Sequence, residues 1–175
     1  MVIETSKLSV LHGPLQPNTR PGDRSHPTGF YRDGYCWGEE EDFGQHYVAG
    51  IMTKEFLEFS KRRGNDLSSR RPGFQGLTEG CRWCLCVERW KEAMMASERL
   101  GERVVPRVDL AATAMDTLRS INLEDLRRFA WRGNDVEQRR EREEPAPESP
   151  PGRSGGPGRS GFGGGSSGSG PRRVL

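Results

Sequence analysis

Cysteine and tryptophan crowd into one short stretch, Cys81 to Met95, which reads CRWCLCVERWKEAMM. It carries three of the chain's four cysteines and two of its four tryptophans. From Glu88 the apolar residues Trp90, Ala93 and Met94 recur at helical spacing, and Gly101 follows as a terminator. A stretch that passes from spaced thiols into an amphipathic helix has to bury its bulky groups, so it is the expected centre of the fold and of any site. Cys84 and Cys86 are two apart. On a strand they face the same side and could share a metal, whereas on a helix they point apart. Cys81 and Cys84 have the C-x2-C spacing of one arm of a zinc site or of a redox pair.

The rest of the chain supports this centre with short elements. Tyr47 to Met52 reads as a short buried strand, although Gly50 counts against it. Thr53 is an N-cap, Glu55 sits in the first turn, and Met52 can staple onto Leu57, which predicts a helix over TKEFLEFSKRR closed by Gly64. The segment after it, LSSRRPGFQGLTEG, is a loop anchored by Phe74 and Leu77. VVPRVDL, from Val104 to Leu110, reads as an extended edge because of Pro106. Thr113 with Asp116 predicts a short helical turn, and Asn122 with Asp125 predicts a last helix running through LEDLRRFAW to Gly133. Residues 1 to 30 are turn-rich. Short strands between about three helices, without regular alternation, predict an α+β fold.

One domain is expected from 175 residues. Beyond residue 133 the composition turns to Pro, Gly, Ser and Arg, with Phe162 the only aromatic. Such a sequence buries too little apolar surface to offset its ordering entropy, which predicts a globular domain over residues 8–133 and a disordered tail over 134–175. Up to Gly133 there are 20 Lys and Arg against 19 Asp and Glu. That near-neutrality argues against a nucleic-acid-binding domain and leaves only weak contacts of the Arg-Gly tail with RNA or acidic partners. No window of 18 apolar residues is present, so no membrane span is expected. The N-terminus lacks a secretory pattern, which predicts a cytoplasmic protein with reduced thiols.

Chemistry has few places to sit. His46 lies in expected core sequence, and a neutral imidazole beside a thiol can act as its base. Cys84 or Cys86 with His46 is therefore the candidate catalytic set, against the plainer reading of buried thiols and a hydrogen-bonded core histidine. Cys36, His46, Cys84 and Cys86 form the candidate metal set, for zinc. Arg32 and Asp33 in one turn, and Asn65 and Asp66 after the first helix, are candidate ligand-binding residues. The run Glu39 to Asp42 reads as a solvated acidic surface. Walker, G-x-G-x-x-G and HExxH signatures are missing from the sequence.

Four blocks also carry a likeness. TGFYRDGYC at Thr28 to Cys36, the D-x-G-x-H of Asp42, Gly44 and His46, MTKEFLEFSKRRGNDLS at Met52 to Ser68, and CRWCLCVERWKEA at Cys81 to Ala93 resemble the DUF2237 family of small, mainly bacterial proteins. The likeness runs from about Leu11 to Ala130. In that family the positions of Tyr35 and Ala49 are commonly cysteine, Ala114 stands in place of a histidine, and Cys81 in place of an aspartate. A site shared with the family would then rest on Cys36, His46, Cys84 and Cys86. The family implies no reaction. The reading is a small ligand- or metal-binding domain centred on Cys84 and Cys86, with a cysteine-dependent enzyme or redox protein, or an interaction module in a larger assembly, as alternatives.

Overall fold

The computed structural model describes residues 7–19, 22–23 and 26–133, which lie in one compact unit. The expected disordered tail, 134–175, lies outside the described residues. The architecture is α+β, as expected. Strand β1 (Val48–Ile51) pairs antiparallel with β2 (Arg82–Leu85) on one side and with β3 (Arg107–Val108) on the other, giving the order β2-β1-β3. Helices α1 (Lys54–Arg62), α2 (Val87–Leu100) and α3 (Leu123–Arg128) complete the regular structure, with two short 3-10 turns at Glu102–Val104 and Met115–Arg119.

All four residues of β1 are buried. Gly50, which weakened the strand on sequence grounds, is there for close approach. A Cβ at that position would meet Leu85 Cδ1 at 2.7 Å and Met52 Cε at 2.9 Å, so the missing side chain lets these two fill the space. The chain then turns directly into α1. Thr53 Oγ1 accepts the Phe56 amide at 3.0 Å and donates to the Arg103 carbonyl at 2.7 Å. One cap thus ends a strand, starts a helix and ties it to a distant turn. Phe56, Leu57 and Phe59 are buried, and Gly64 adopts φ +86° just past the helix end.

The core forms around α2. Trp90 is fully buried, packs edge-on against Phe129 at 5.8 Å, and donates from Nε1 to the Pro106 carbonyl at 3.1 Å. Met52, Phe56, Leu77, Val87 and Leu126 join the same cluster. Phe74 packs edge-on against Trp83, and Leu77 is buried, so both anchor their loop as expected.

Two expectations need correction. Thr113 does not cap the 3-10 turn at Met115–Arg119: its hydroxyl donates to the Asp109 carbonyl and accepts the Ala49 amide, because it lies buried against β1. The last helix stops at Arg128, short of Trp131, and the Asn122 side chain makes no capping bond. Beyond it Phe129 accepts from Val108 and Trp131 donates to Val108, so pairing with β3 takes the chain out of helical geometry.

Candidate active site

The four cysteines have separate fates. Strand β2 turns Cys84 inward, and the segment carrying Cys36 crosses it while pairing with Thr113. The two Cα atoms come within 5.1 Å and the residues form a disulfide, a separation ordinary for that bond. The expectation of reduced thiols is therefore corrected for this pair. Both sulfurs are buried with Ala49 and Ala112. Cys81 and Cys86 remain free and half-exposed.

The disulfide also removes the proposed zinc set. With Cys36 and Cys84 bonded to each other, only His46 and Cys86 of the four are left, whereas structural zinc takes four ligands. Among the described residues no group of three or more His, Cys, Asp or Glu side chains is placed to hold a metal ion. Cys84 and Cys86 do not share a strand face either. The strand ends at Leu85, and Cys86 is the residue that enters α2. For the same reason Cys84 is not a free thiol, and of the expected catalytic set the structure brings together Cys86 and His46.

These two residues meet although 40 positions separate them. His46 Nε2 lies 3.2 Å from Cys86 Sγ. On the other side of the ring, Nδ1 lies 2.6 Å from Asp42 Oδ1, and Asp42 Oδ2 accepts the His46 backbone amide at 2.7 Å. The Asp42 side chain is completely buried and the His46 side chain 34% exposed. Sequence reasoning missed Asp42, because it ends a run of exposed acidic residues. The one signal available was its place four residues before His46 with a glycine between them.

The loop that holds this arrangement is docked on the start of α2. The Gln45 carbonyl accepts the amide of Val87, the first residue of that helix, and also the amide of Tyr47. Gln45 itself adopts φ +48°, an uncommon conformation for a residue other than glycine. Two glycines keep the chain close. A Cβ on Gly38 would lie 2.6 Å from Asp42 Cβ, and one on Gly44 would lie 2.6 Å from His46 Cε1 and 3.2 Å from Cys86 Sγ. Phe30 stacks on the imidazole with ring centroids 6.3 Å apart.

Electrostatics follow from these contacts. The His46 pKa is pushed up to about 9. The hydrogen bond with Cys86 is the main cause and partial burial opposes it, while the charge on Cys86 and the bond and charge of Asp42 add to it. The ring therefore carries a proton on each nitrogen at neutral pH, one donated to Asp42 and one to the sulfur. Cys86 also sits at the positive end of the α2 dipole, where the Val87 amide is already taken by Gln45.

The family model for DUF2237, described as an uncharacterized protein conserved in bacteria, matches residues 8–130. The chain belongs to the DUF2237 family. No curated protein matches it. In this DUF2237 protein the D-x-G-x-H block and the cysteine block converge through Asp42, His46 and Cys86, and the TGFYRDGYC block supplies Phe30.

The four remaining candidates are engaged locally. Arg32 donates to the Pro27 carbonyl and lies 4.8 Å over the Trp83 ring. Asp33 accepts from the Tyr35 amide and from Trp37 Nε1, closing its own turn. The Asn65 backbone accepts from Ser60 Oγ. Asp66 accepts from the amides and hydroxyls of Ser68 and Ser69 and pairs with Lys61. These bonds, those of Ser69 first, hold its pKa well below the usual carboxylate range. Two clefts open elsewhere. One of about 590 Å³ is flanked by Arg70, Arg71 and Phe74, and one of about 610 Å³ by Trp37, Gly38, Tyr47 and Arg119. Neither is lined by His46 or Cys86, but the second meets the Asp42 loop at Gly38. Among the described residues no helix is long and apolar enough to cross a membrane.

Proposed function

We propose that this protein is a thiol-dependent enzyme of the acyl-transfer class, with Cys86 as nucleophile, His46 as proton carrier and Asp42 as the carboxylate that orients the imidazole. The continuous hydrogen-bonded chain from Asp42 through His46 to Cys86 carries the reading. A nucleophile within reach of a base that is itself held by a third group is the arrangement nucleophilic catalysis needs. The Cys86 thiolate adds to a substrate carbonyl, and the His46 imidazolium gives its proton to the leaving group. Water then releases the acyl group, with His46 accepting the proton of that water and the thiolate re-forming. With the Val87 amide taken by Gln45, the amides of Glu88 and Arg89 in the first turn of α2 are the candidate donors for the oxyanion.

A binding domain that holds a metal through the cysteine stretch is the weaker reading, because the disulfide leaves too few ligands. We also propose a cytoplasmic location, to which the free thiols of Cys81 and Cys86 are suited. A disulfide there is uncommon, and complete burial of Cys36 and Cys84 would shield this one from exchange.

Site-resolved alkylation by iodoacetamide tests the assignment. An ordinary thiol gains about tenfold in rate per pH unit below its pKa of about 8.5. At pH 7 Cys86 should react about tenfold or more faster than such a thiol in a reference peptide, because the imidazole 3.2 Å away steadies its thiolate. Asp42→Asn and His46→Gln should bring the rate back to that of the peptide. A burst of one p-nitrophenol per chain from p-nitrophenyl acetate, lost in Cys86→Ala, should accompany it. A wild-type rate no higher than that of the reference peptide would remove the reading.

A further inference from the structure

A row of aromatic rings leaves the imidazole and runs along the surface. Phe30 stacks on His46, Tyr31 meets Phe30 edge-on at 5.0 Å, and Trp37 lies 4.6 Å from Tyr31. Trp37 also lines the 610 Å³ cleft, so the row joins the thiol to a concave surface. Phe30 and Tyr31 are more than a third exposed and Phe43, beside the Asp42–His46 turn, is 95% exposed. A small domain has little reason to leave four aromatic rings at the surface around one thiol unless they meet something.

Charge says what that is. Glu39, Glu40 and Glu41 are exposed along the same segment. Glu39 follows Trp37 by two residues in the chain, and slight burial together with the negative charges of Glu39 and Glu41 raises the pKa of the Tyr31 hydroxyl. The row already holds one cation, the Lys7 ammonium seated over the Trp37 ring. Aromatic faces with carboxylates at their rim attract ammonium and guanidinium groups by the ring quadrupole and by simple Coulomb attraction.

We infer that the substrate of Cys86 carries an ammonium or guanidinium group, held on the exposed Phe30 and Tyr31 rings while its electrophilic centre reaches the sulfur. The inference rests on Cys86 being the nucleophile, and it names the substrate class of that same site. It also predicts against the immediate surroundings of the sulfur, since the His46 imidazolium and the start of α2 alone would favour an anionic reagent.

Two methanethiosulfonates of opposite charge distinguish the cases, one ending in trimethylammonium and one in sulfonate. In each, the Cys86 thiolate attacks the sulfenyl sulfur, forms a mixed disulfide and expels methanesulfinate. Rates at Cys86 in the full chain are read by mass spectrometry of the labelled peptide and divided by those of a reference cysteine peptide. The cationic reagent should be favoured by about tenfold or more at low salt, and the exposed pair of changes Glu39→Gln and Glu41→Gln should reduce that preference by at least half. Equal normalised rates, or a preference that survives both changes, would overturn the substrate class while leaving the nucleophile in place. A Cys86 that reacts with neither reagent faster than the peptide would overturn both the nucleophile and the inference built on it.

Discussion

Alanine at position 44 would add a single carbon 2.6 Å from His46 Cε1 and 3.2 Å from Cys86 Sγ. Gly44 is outside the left-handed region, so any effect of the change is steric and not conformational. An ordinary carbon contact begins near 3.4 Å, and the imidazole has to retreat by about 0.8 Å, the difference between the two distances. The Asp42 bonds resist that retreat, holding both the ring and the backbone of His46. The ring therefore tilts away from the sulfur, and a 3.2 Å contact becomes too long for a hydrogen bond. Because that bond is the main cause of the raised His46 pKa, the ring should titrate nearer its ordinary value of about 6.5. A displacement near 1 Å costs about 10²-fold where geometry sets the rate, and similar losses are expected in the acyl-ester burst. Ring-nitrogen chemical shifts followed through a pH titration read the His46 pKa directly, and the alkylation rate at pH 7 reads the thiol. Overpacking should cost about 1–3 kcal/mol, so a thermal melt has to show that the variant is folded. A folded Gly44→Ala protein that keeps its His46 pKa near 9 and its raised alkylation rate would refute the coupling of His46 to Cys86.

Two further outcomes follow from the same geometry. The His46 pKa is higher folded than unfolded, so its stabilising contribution is complete below about pH 6.5 and is lost as pH rises through about 9. Urea midpoints should fall between pH 6.5 and 9.5 in the wild type and fall less in His46→Gln. The Cys36–Cys84 bond closes a loop with a sequence separation of 48, which constrains the unfolded chain by about 4 kcal/mol. Replacing both cysteines by alanine should lower the unfolding free energy by about that amount, and a shift under 1 kcal/mol would contradict the pairing.

The elements were legible wherever the deciding interactions are local. Thr53, Glu55 and Gly64 mark the ends of α1 because a cap and a left-handed turn involve neighbours a few residues apart. The spacing of Trp90, Ala93 and Met94 foretold α2 for the same reason, and β1 was readable in spite of Gly50. Asn122 and Asp125 foretold where the last helix starts but not where it stops, since its end depends on pairing with β3. His46 and Cys86 were legible as residue types able to work together, though equally as part of a metal set.

What the sequence by itself determined was the α+β order, the main helix starts and the short list of reactive groups. Tertiary structure decided how those groups combine. Four cysteines allow three pairings, and Cys36 was joined to Cys84 only because β2 turns Cys84 inward beneath a loop 48 positions away. One residue past the end of that strand, Cys86 was left free at the start of α2 to meet His46. Asp42 looks like its acidic neighbours in the sequence. It became the orienting carboxylate because the chain folds back at Gly38 and Gly44, closing water off from its oxygens and leaving the amide and ring of His46 to take its place. Burial and pairing across tens of residues depend on where the chain returns, which no local pattern encodes.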